Sequence, residues 1–184
     1  MRIMRTDDQK TIDLFEDARA KIHTMALIHT QLYQSEQFDN IDMGIYLKQL
    51  VGYLSRVYEK KLTLVTPVIE PSDAYLSITQ AIPCPIVLNE VISNAFKHAF
   101  KEGQKGTIRV SLNDSPDDRI AIRVKDDGIG MPEEIDLDKA SSLGLRLIRT
   151  IVREQLLGGI RLNRDQGTEI LIQFKLRKEE DSIA

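Results

Sequence analysis

Four polar side chains recur at helical spacing in the segment 85–100. Asn94 lies four residues after Glu90, and Lys97 and His98 follow Asn94 by three and four residues. On an α-helix these spacings place the side chains on one side, where their polar groups can converge. A carboxylate and an amide oxygen are ligands suited to Mg²⁺, and the Lys97 ammonium can meet a phosphate nearby. The segment alone fits equally well with the solvated polar face of an ordinary amphipathic helix.

A short glycine-containing motif, residues 126–132, follows directly after a predicted strand. Gly128 and Gly130 allow the backbone to approach a flat ligand closely, and Asp126 places a carboxylate at the end of the strand. Such a carboxylate can accept a hydrogen bond from an exocyclic amine, for example that of adenine. The motif does not fit a calcium loop, a dinucleotide-binding glycine fingerprint or a phosphate-binding P-loop. Simple turn chemistry remains as the alternative.

The segment 141–147 has the composition of a helix start that binds an anion. Gly144 lets a ligand approach the unpaired backbone N–H groups of the first turn, and Arg146 and Arg149 add positive charge. Serine before a helix is also a common N-cap, so a capped surface helix is the competing interpretation. The dipeptide 167–168, Gly-Thr, indicates a hairpin turn first and a binding element second.

The elements that must position these motifs are predicted from hydrophobic periodicity and from turn residues. The predicted helices span about 7–35, 43–61, 85–100 and 143–157, and the predicted strands span about 62–65, 75–79, 107–112, 119–124, 160–163 and 168–176. This order predicts an α+β fold, a two-layer α/β sandwich preceded by a long helical lead-in. The predicted division is a lead-in over 1–60, a main domain over 61–178 and a flexible tail over 179–184.

The first predicted helix carries a stripe with the alternating three- and four-residue spacing of a coiled-coil seam. Its positions, called the seam below, are Phe15, Ala18, Ile22, Met25, His29 and Leu32. A seam needs a partner, which is either another helix of this chain or a second copy. For His23 and His29 we predict a structural role rather than a chemical one.

Two further helices have apolar faces that predict burial. Asp42 is predicted as the N-cap of the second helix, at the end of a turn over 37–42. The residues of that helix predicted to face the core are Ile45, Leu47, Leu50, Leu54 and Val57. The apolar stripe of the segment 85–100 is predicted to lie on a sheet or a second helix, and it consists of Leu88, Val91, Ile92, Ala95, Phe96 and Ala99.

Length and composition limit the kinds of function that the chain can have. Its 184 residues, 42% hydrophobic and 29% charged, are typical of one soluble globular domain with an appendage. A net charge of −3 provides no general attraction to nucleic acid or to an anionic membrane. The single Cys84 excludes an internal disulfide, and no apolar run is long enough to span a bilayer. We therefore expect a cytoplasmic protein, or the cytoplasmic part of a membrane-bound sensor.

The three motifs are far more specific in combination than singly. Glu-x3-Asn-x2-Lys-His on a helix, Asp-x-Gly-x-Gly after a strand and Ser-Leu-Gly-Leu at a helix start follow one another along the chain. In this combination the chain resembles the Bergerat-fold ATPase superfamily, and within it the catalytic domain of sensor histidine kinases with a short nucleotide lid. The resemblance covers roughly residues 62–176. The segment 18–33 also resembles the second helix of that subgroup's dimerisation and phosphoacceptor hairpin.

The resemblance implies an ATP and Mg²⁺ site and gives each matching residue a role. Glu90 and Lys97 are the implied catalytic residues, and Asn94 and Glu90 are the implied Mg²⁺ ligands. Asp126 would accept the adenine amine, and Thr168 would support the adenine side. The residues implied to bind ATP are Asn94, Lys97, His98, Asp126, Gly128, Ile129, Gly130, Met131, Leu143, Gly144, Leu145, Arg146 and Thr168.

The same resemblance implies a function and partners. We expect the ATP-binding catalytic part of a two-component sensor histidine kinase, which transfers the γ-phosphoryl group of ATP to a histidine that is not present in this chain. The expected partners are the helix bearing that histidine, a response regulator and a second copy bound through the lead-in helices. No contact with nucleic acid or membrane is expected.

The chain departs from the family pattern at several points. The first hairpin helix with its acceptor histidine is absent, Ser142 stands where many of these kinases have glycine, and the segment between the glycine motifs is short. The missing acceptor predicts that the chain alone does not phosphorylate itself. The alternatives are a protein-serine kinase of the anti-sigma type and a regulatory module that binds nucleotide without phosphotransfer.

Overall fold

The structure is a computed structural model that describes residues 9–34, 41–59, 64–115, 117–139 and 142–177. Its helices are Gln9–Gln34 (α1), Met43–Tyr58 (α2), Ile78–Ala81 (α3), Cys84–His98 (α4) and Leu143–Thr150 (α5), and a π-helical turn, Ile151–Gln155, continues α5. Its strands are Ile41–Asp42 (β1), Val65–Ile69 (β2), Tyr75–Leu76 (β3), Gly106–Ser115 (β4), Arg119–Asp126 (β5), Gly159–Asn163 (β6) and Glu169–Lys175 (β7). No helix in the described part of the chain is both long and apolar enough to cross a membrane.

Five strands form one mixed sheet in the order β2-β4-β5-β7-β6. β2 runs parallel to β4, and the other neighbours are antiparallel. Asp117 and Asp118 adopt positive φ angles of 67° and 53° in the turn between β4 and β5, a conformation that aspartate tolerates better than most residues. β1 and β3 form a separate antiparallel pair. With helices packed on the five-stranded sheet, the structure confirms the predicted α+β fold.

One hydrophobic core lies between the sheet and the helices. β5 alternates exposed and buried residues along its length, as expected for a strand with one covered face. The predicted apolar stripe of α4 is entirely buried, from Leu88 to Ala99. α2 adds Tyr46, Leu47, Leu50 and Leu54, each fully buried, so this helix belongs to the same core as the sheet.

α1 packs on α2 and α4 through the side opposite most of the seam. Ala20, Thr24 and Ile28 are buried, whereas the seam residues Phe15 and Ile22 are 71% and 70% exposed. The seam residue Leu32 is buried and is the exception. The described helices of this chain therefore do not serve as the partner of the seam.

Several predicted boundaries and one core residue need correction. The strand predicted over 75–79 ends at Leu76, because Ser77 is the extended N-cap of α3. Ile45 is 49% exposed instead of buried, since it lies about 200° around α2 from the buried Leu47. Asp42 is confirmed as an N-cap, with Ile45 N donating to Asp42 Oδ1 at 3.0 Å. The strand predicted over 62–65 begins instead at Val65 and runs to Ile69. Residues 37–40 of the predicted turn at 37–42 lie outside the described residues, as do residues 62 and 63.

Candidate functional site

The polar side of α4 carries the first group of predicted site residues. α4 begins at Cys84, and Pro85 lies in its first turn, where proline's missing N–H breaks no intrahelical hydrogen bond. Glu90 is 5% exposed, Asn94 and Lys97 are half-buried, and His98 is exposed at the end of the helix. The apolar stripe of α4 rests on the sheet, so this polar side faces away from the core.

Asp126 is the last residue of β5 and is buried at 4% exposure. Its Oδ1 accepts hydrogen bonds from Gly128 N at 3.0 Å and from Thr168 N at 3.1 Å. Burial raises the pKa of the Asp126 carboxyl above its ordinary value, and these backbone hydrogen bonds oppose part of that rise. An ionised carboxylate has about four acceptor positions, so Asp126 keeps capacity for a donor on a ligand.

The first glycine motif is folded against the end of α4. Ile129 N donates to the Ala99 carbonyl oxygen at 2.8 Å, and a Cβ added at Gly128 would lie only 2.0 Å from that oxygen. Only glycine fits there without displacing the backbone. Ile129 is exposed, and Met131 is half-buried against the core. Gly130, with a φ of 80°, lies between them.

The start of α5 lies against Glu90. A Cβ added at Gly144 would lie 2.4 Å from Glu90 Oε2, so the second glycine motif touches the polar side of α4 directly. Ser142 makes no side-chain cap, which leaves first-turn N–H groups available to a ligand. Leu145 is buried, and the neighbouring Leu143 and Arg146 are exposed. Ser141 lies outside the described residues.

Three arginines contact the segment between the two glycine motifs, and of these only Arg149 was predicted to have a role, as a positive charge at the anion-binding helix start. Arg149 donates to the Asp138 carbonyl oxygen, and Arg153 pairs with the Asp138 carboxylate. Arg164, from the turn between β6 and β7, donates to the Ile135 carbonyl oxygen. No local pattern indicates these contacts, because the partners are separated along the chain by 11 to 29 residues.

α1 also reaches the polar side of α4. Lys21 Nζ lies 2.7 Å from Glu90 Oε1, an ion pair without hydrogen-bond alignment. Lys97 Nζ donates to Asp17 Oδ2 at 2.6 Å, and the Tyr58 hydroxyl lies 3.5 Å from Asp17 Oδ1. Neither Asp17 nor Lys21 was predicted to lie near the site, because the seam indicated a contact surface on the other side of α1.

His98 is exposed as a whole, but neighbouring protein atoms displace part of the water around its ring. This partial desolvation, together with the Lys97 ammonium, lowers the pKa of the His98 imidazole, and Asp17 acts in the opposite direction. The imidazole is therefore held in its neutral form more strongly than a free histidine. A phosphate placed next to it would favour the protonated form, so binding of an anion there would take up a proton.

The described residues include no group of three or more histidine, cysteine, aspartate or glutamate side chains that could hold a metal ion alone. Mg²⁺ commonly uses one or two protein oxygens together with phosphate oxygens and water. The half-buried Asn94 amide has no hydrogen bond to another described residue, so its oxygen fits such a role. Glu90 fits less well in this arrangement, because the Lys21 ammonium already lies against its carboxylate.

Comparison with known proteins gives two family matches. The model described as histidine kinase-, DNA gyrase B- and HSP90-like ATPase matches residues 83–179, and a model described as histidine kinase matches residues 1–58. The sensor histidine kinase PdtaS of Mycobacterium tuberculosis is 24% identical over 179 residues, which cover 94% of this chain and 34% of that protein. Blue-light-activated histidine kinase 2 of Erythrobacter litoralis is 25% identical over 78% of this chain and 41% of that protein. The chain thus spans less than half the length of these curated relatives.

Solved structures show the same fold. The histidine kinase domain of the Erythrobacter litoralis EL346 blue-light activated histidine kinase has a TM-score of 0.78 and 20% identity, with 87% of this chain and 75% of that chain covered. The catalytic domain of histidine kinase ThkA has a TM-score of 0.56 and 21% identity, with 72% and 95% covered. The first family match covers more than half of the chain and includes both glycine motifs and all of α4. The chain therefore belongs to the family of histidine kinase-, DNA gyrase B- and HSP90-like ATPase domains.

Proposed function

We propose that the chain is the ATP-binding catalytic part of a two-component sensor histidine kinase. The observation that carries this proposal is the position of both glycine motifs on α4. Gly128 lies against the helix end at Ala99, and Gly144 lies against Glu90. A nucleotide lying along α4 would therefore have one glycine motif at its base and the other at its phosphates.

In this proposal the base and the phosphates are held by different groups of residues. Asp126 accepts a hydrogen bond from the adenine amine, and Thr168 supports the adenine side. The backbone that lines the base is that of Gly128, Ile129, Gly130 and Met131. Lys97 and His98 bind the phosphates. The remaining phosphate contacts come from the start of α5, at Leu143, Gly144, Leu145 and Arg146.

Asn94 would hold Mg²⁺, with Glu90 joining it when the carboxylate is free of Lys21. The metal would neutralise the negative charge that develops on the phosphates during transfer. Glu90 and Lys97 are the proposed catalytic residues. Glu90 orients the attacking imidazole, and Lys97 stabilises the negative charge of the phosphates. Phosphoryl transfer of this kind depends mainly on positioning and electrostatic stabilisation, which a rigid α4 provides.

The proposed acceptor is a histidine on a helix outside this chain, and a response regulator would receive the phosphoryl group afterwards. The exposed seam of α1 is the proposed surface for pairing with a second copy. We propose that the chain divides into a helical lead-in (1–60), an ATP-binding domain (61–178) and a tail (179–184). We also propose that it is located in the cytoplasm. The match of residues 1–58 to a histidine kinase model supports this function over a protein-serine kinase or a regulatory module that only binds nucleotide.

The metal assignment is tested with Asn94→Ala. Replacing a half-buried polar residue on a helix by alanine costs little stability, so the effect on binding can be separated from folding. Loss of a contact to a charged partner should weaken Mg-ATP binding by about tenfold to a hundredfold, measured by titration calorimetry. Gln49→Ala, at an exposed position of α2, is the matched control and should bind as the wild type does. Equal affinity in the Asn94 variant and the control would exclude this role.

A further inference from the structure

Two ion pairs attach α1 to the site. In one of them α1 supplies the carboxylate, and in the other it supplies the ammonium group. Asp17 and Lys21 lie one turn apart on α1, and they meet Lys97 and Glu90, which lie two turns apart on α4. Four helical residues span about 6 Å and seven span about 10.5 Å, a difference that long lysine side chains can bridge. The order is antiparallel, because the earlier residue of α1 meets the later residue of α4.

These contacts are shielded from water more than ordinary surface ion pairs. The side chains of Lys21 and Glu90 are 32% and 7% exposed, and those of Lys97 and Asp17 are 27% and 30% exposed. The Asp17 carboxylate also lies beside the Tyr58 hydroxyl, and this neighbour together with burial raises the pKa of Tyr58. Partial desolvation strengthens each charge interaction relative to a fully exposed pair.

The rest of the α1 interface combines apolar and polar contacts. Ala20, Ile28 and Leu32 contribute its buried apolar side chains, and His23 stacks on Tyr53 with ring centroids 3.9 Å apart. The seam residues Phe15 and Ile22 point away from the chain. α1 is therefore held by apolar and charged contacts together, and the two ion pairs supply the charged part.

The two ion pairs occupy groups that the proposed function requires. The Lys21 ammonium neutralises the Glu90 carboxylate, which weakens its attraction for Mg²⁺. The Lys97 ammonium likewise has to give up or share Asp17 when it binds a phosphate. Docking of α1 and binding of Mg-ATP therefore both use the side chains of Glu90 and Lys97.

We propose that Asp17 and Lys21 are regulatory residues with which α1 competes against Mg-ATP for Lys97 and Glu90. This inference rests on the proposed function, and it adds a state of low ATP affinity with α1 docked and a state of high affinity with α1 released. Thermodynamic linkage makes the effect reciprocal, so Mg-ATP loosens α1 as much as docked α1 weakens Mg-ATP. A signal that moves α1 would then control the site directly.

The test measures Mg-ATP affinity of the whole chain by calorimetry in Asp17→Asn, in Lys21→Gln and in the double variant. Each single variant is expected to bind about threefold to tenfold more tightly than the wild type, since it removes one competing, partly exposed ion pair. Glu16→Gln and Arg19→Gln are matched controls, because both residues are exposed on the same helix, and they should leave the affinity unchanged.

A second readout follows α1 itself by hydrogen exchange of the amides in Gln9–Gln34. Mg-ATP should accelerate exchange there in the wild type and add little in the double variant. Adenosine, which lacks phosphates, should have no such effect. The exchange measurement on the wild type decides the question alone if a variant does not fold.

Each outcome has one meaning. If neither the wild type nor the double variant binds Mg-ATP, the proposed function fails. Binding by the double variant alone would support both proposals, because docked α1 would then block the site completely. If the wild type binds but the variants bind equally well, or if α1 exchange does not respond to Mg-ATP, the competition is excluded. Weaker binding by the variants would also overturn it, because α1 would then complete the site instead of blocking it.

Discussion

At the scale of single residues, Asp126 is the group that we propose as the hydrogen-bond acceptor for the adenine amine, and thus as the determinant of base preference. Its Oδ1 is used by the backbone N–H groups of Gly128 and Thr168, which fixes the carboxylate in one orientation. A carboxylate accepts a hydrogen bond from the adenine amine, whereas guanine presents a carbonyl oxygen at the same place. Two acceptors facing each other in a buried site cost on the order of 1–3 kcal/mol.

We therefore predict a preference for ATP over GTP of roughly tenfold to a hundredfold, which Asp126→Asn should reduce together with the ATP affinity. Asp127→Asn is the neighbouring control, because Asp127 is exposed and bonds Thr107 instead. If Asp126 only stabilises the turn, its variant will lose melting temperature without nucleotide while the ATP-to-GTP ratio stays constant. Both quantities should be measured on the same preparation.

The pKa of Asp126 gives this prediction a second readout. Burial raises the folded-state pKa above the ordinary 3.8, so the carboxyl takes up a proton at a higher pH than a free aspartate does. ATP affinity should fall on acidification through that raised pKa, and Asp126→Asn should remove this dependence. The raised pKa of Asp126 affects folding stability in the opposite direction to ATP affinity. It adds stability that is fully present below the unfolded-state pKa and is lost as pH rises through the folded-state pKa.

At the scale of elements, close glycine contacts join α5 and the end of β5 to α4. Gly128 faces a backbone carbonyl oxygen, which cannot move aside, whereas Gly144 faces the end of the flexible Glu90 side chain. The two glycines therefore differ in what a methyl group would disturb. A change at Gly128 would strain the backbone, and a change at Gly144 would displace a carboxylate.

Gly144→Ala is predicted to fold normally and to lose Mg-ATP affinity by at least about tenfold, because the added methyl group displaces Glu90 and crowds the start of α5. Thermal melting and calorimetry on the same sample separate folding from binding. Gly52→Ala is the control, since a Cβ there meets no other atom within 4 Å. It should raise stability by about 0.5–1 kcal/mol and leave binding unchanged. Unaltered Mg-ATP binding by the Gly144 variant would contradict the placement of phosphates at α5.

At the scale of the whole molecule, the two histidines of α1 have no surroundings suited to phosphate acceptance. His23 stacks against Tyr53, and His29 is exposed on the seam. We predict that the chain, incubated alone with radiolabelled ATP and Mg²⁺, acquires no acid-labile, base-stable phosphate. Calorimetric ATP binding by the same sample is the positive control. Label on His23 or His29 would show that one of them is an acceptor and that their predicted structural role is wrong.

Those parts of the fold and the site that depend on local spacing could be predicted from the sequence. The apolar stripe and the polar side of α4 both follow from 3.6 residues per turn, and all six predicted stripe residues are buried. The alternating strands β4 and β5, the cap at Asp42 and the glycine motifs follow from equally local rules. Motif order along the chain was sufficient to indicate the family.

The sequence does not show which of two faces a helix buries or which distant residues meet, because both depend on packing across the chain. The seam of α1 predicted a contact surface, yet the helix turns its other side, with Asp17 and Lys21, toward α4. Ile45 was predicted to be buried from its hydrophobicity and is exposed, because nothing packs on its side of α2. Contacts such as Arg164 with Ile135 join positions 29 residues apart. Local periodicity shows that a face exists, but the partner that covers it is chosen by the free energy of the whole chain, which no single segment contains.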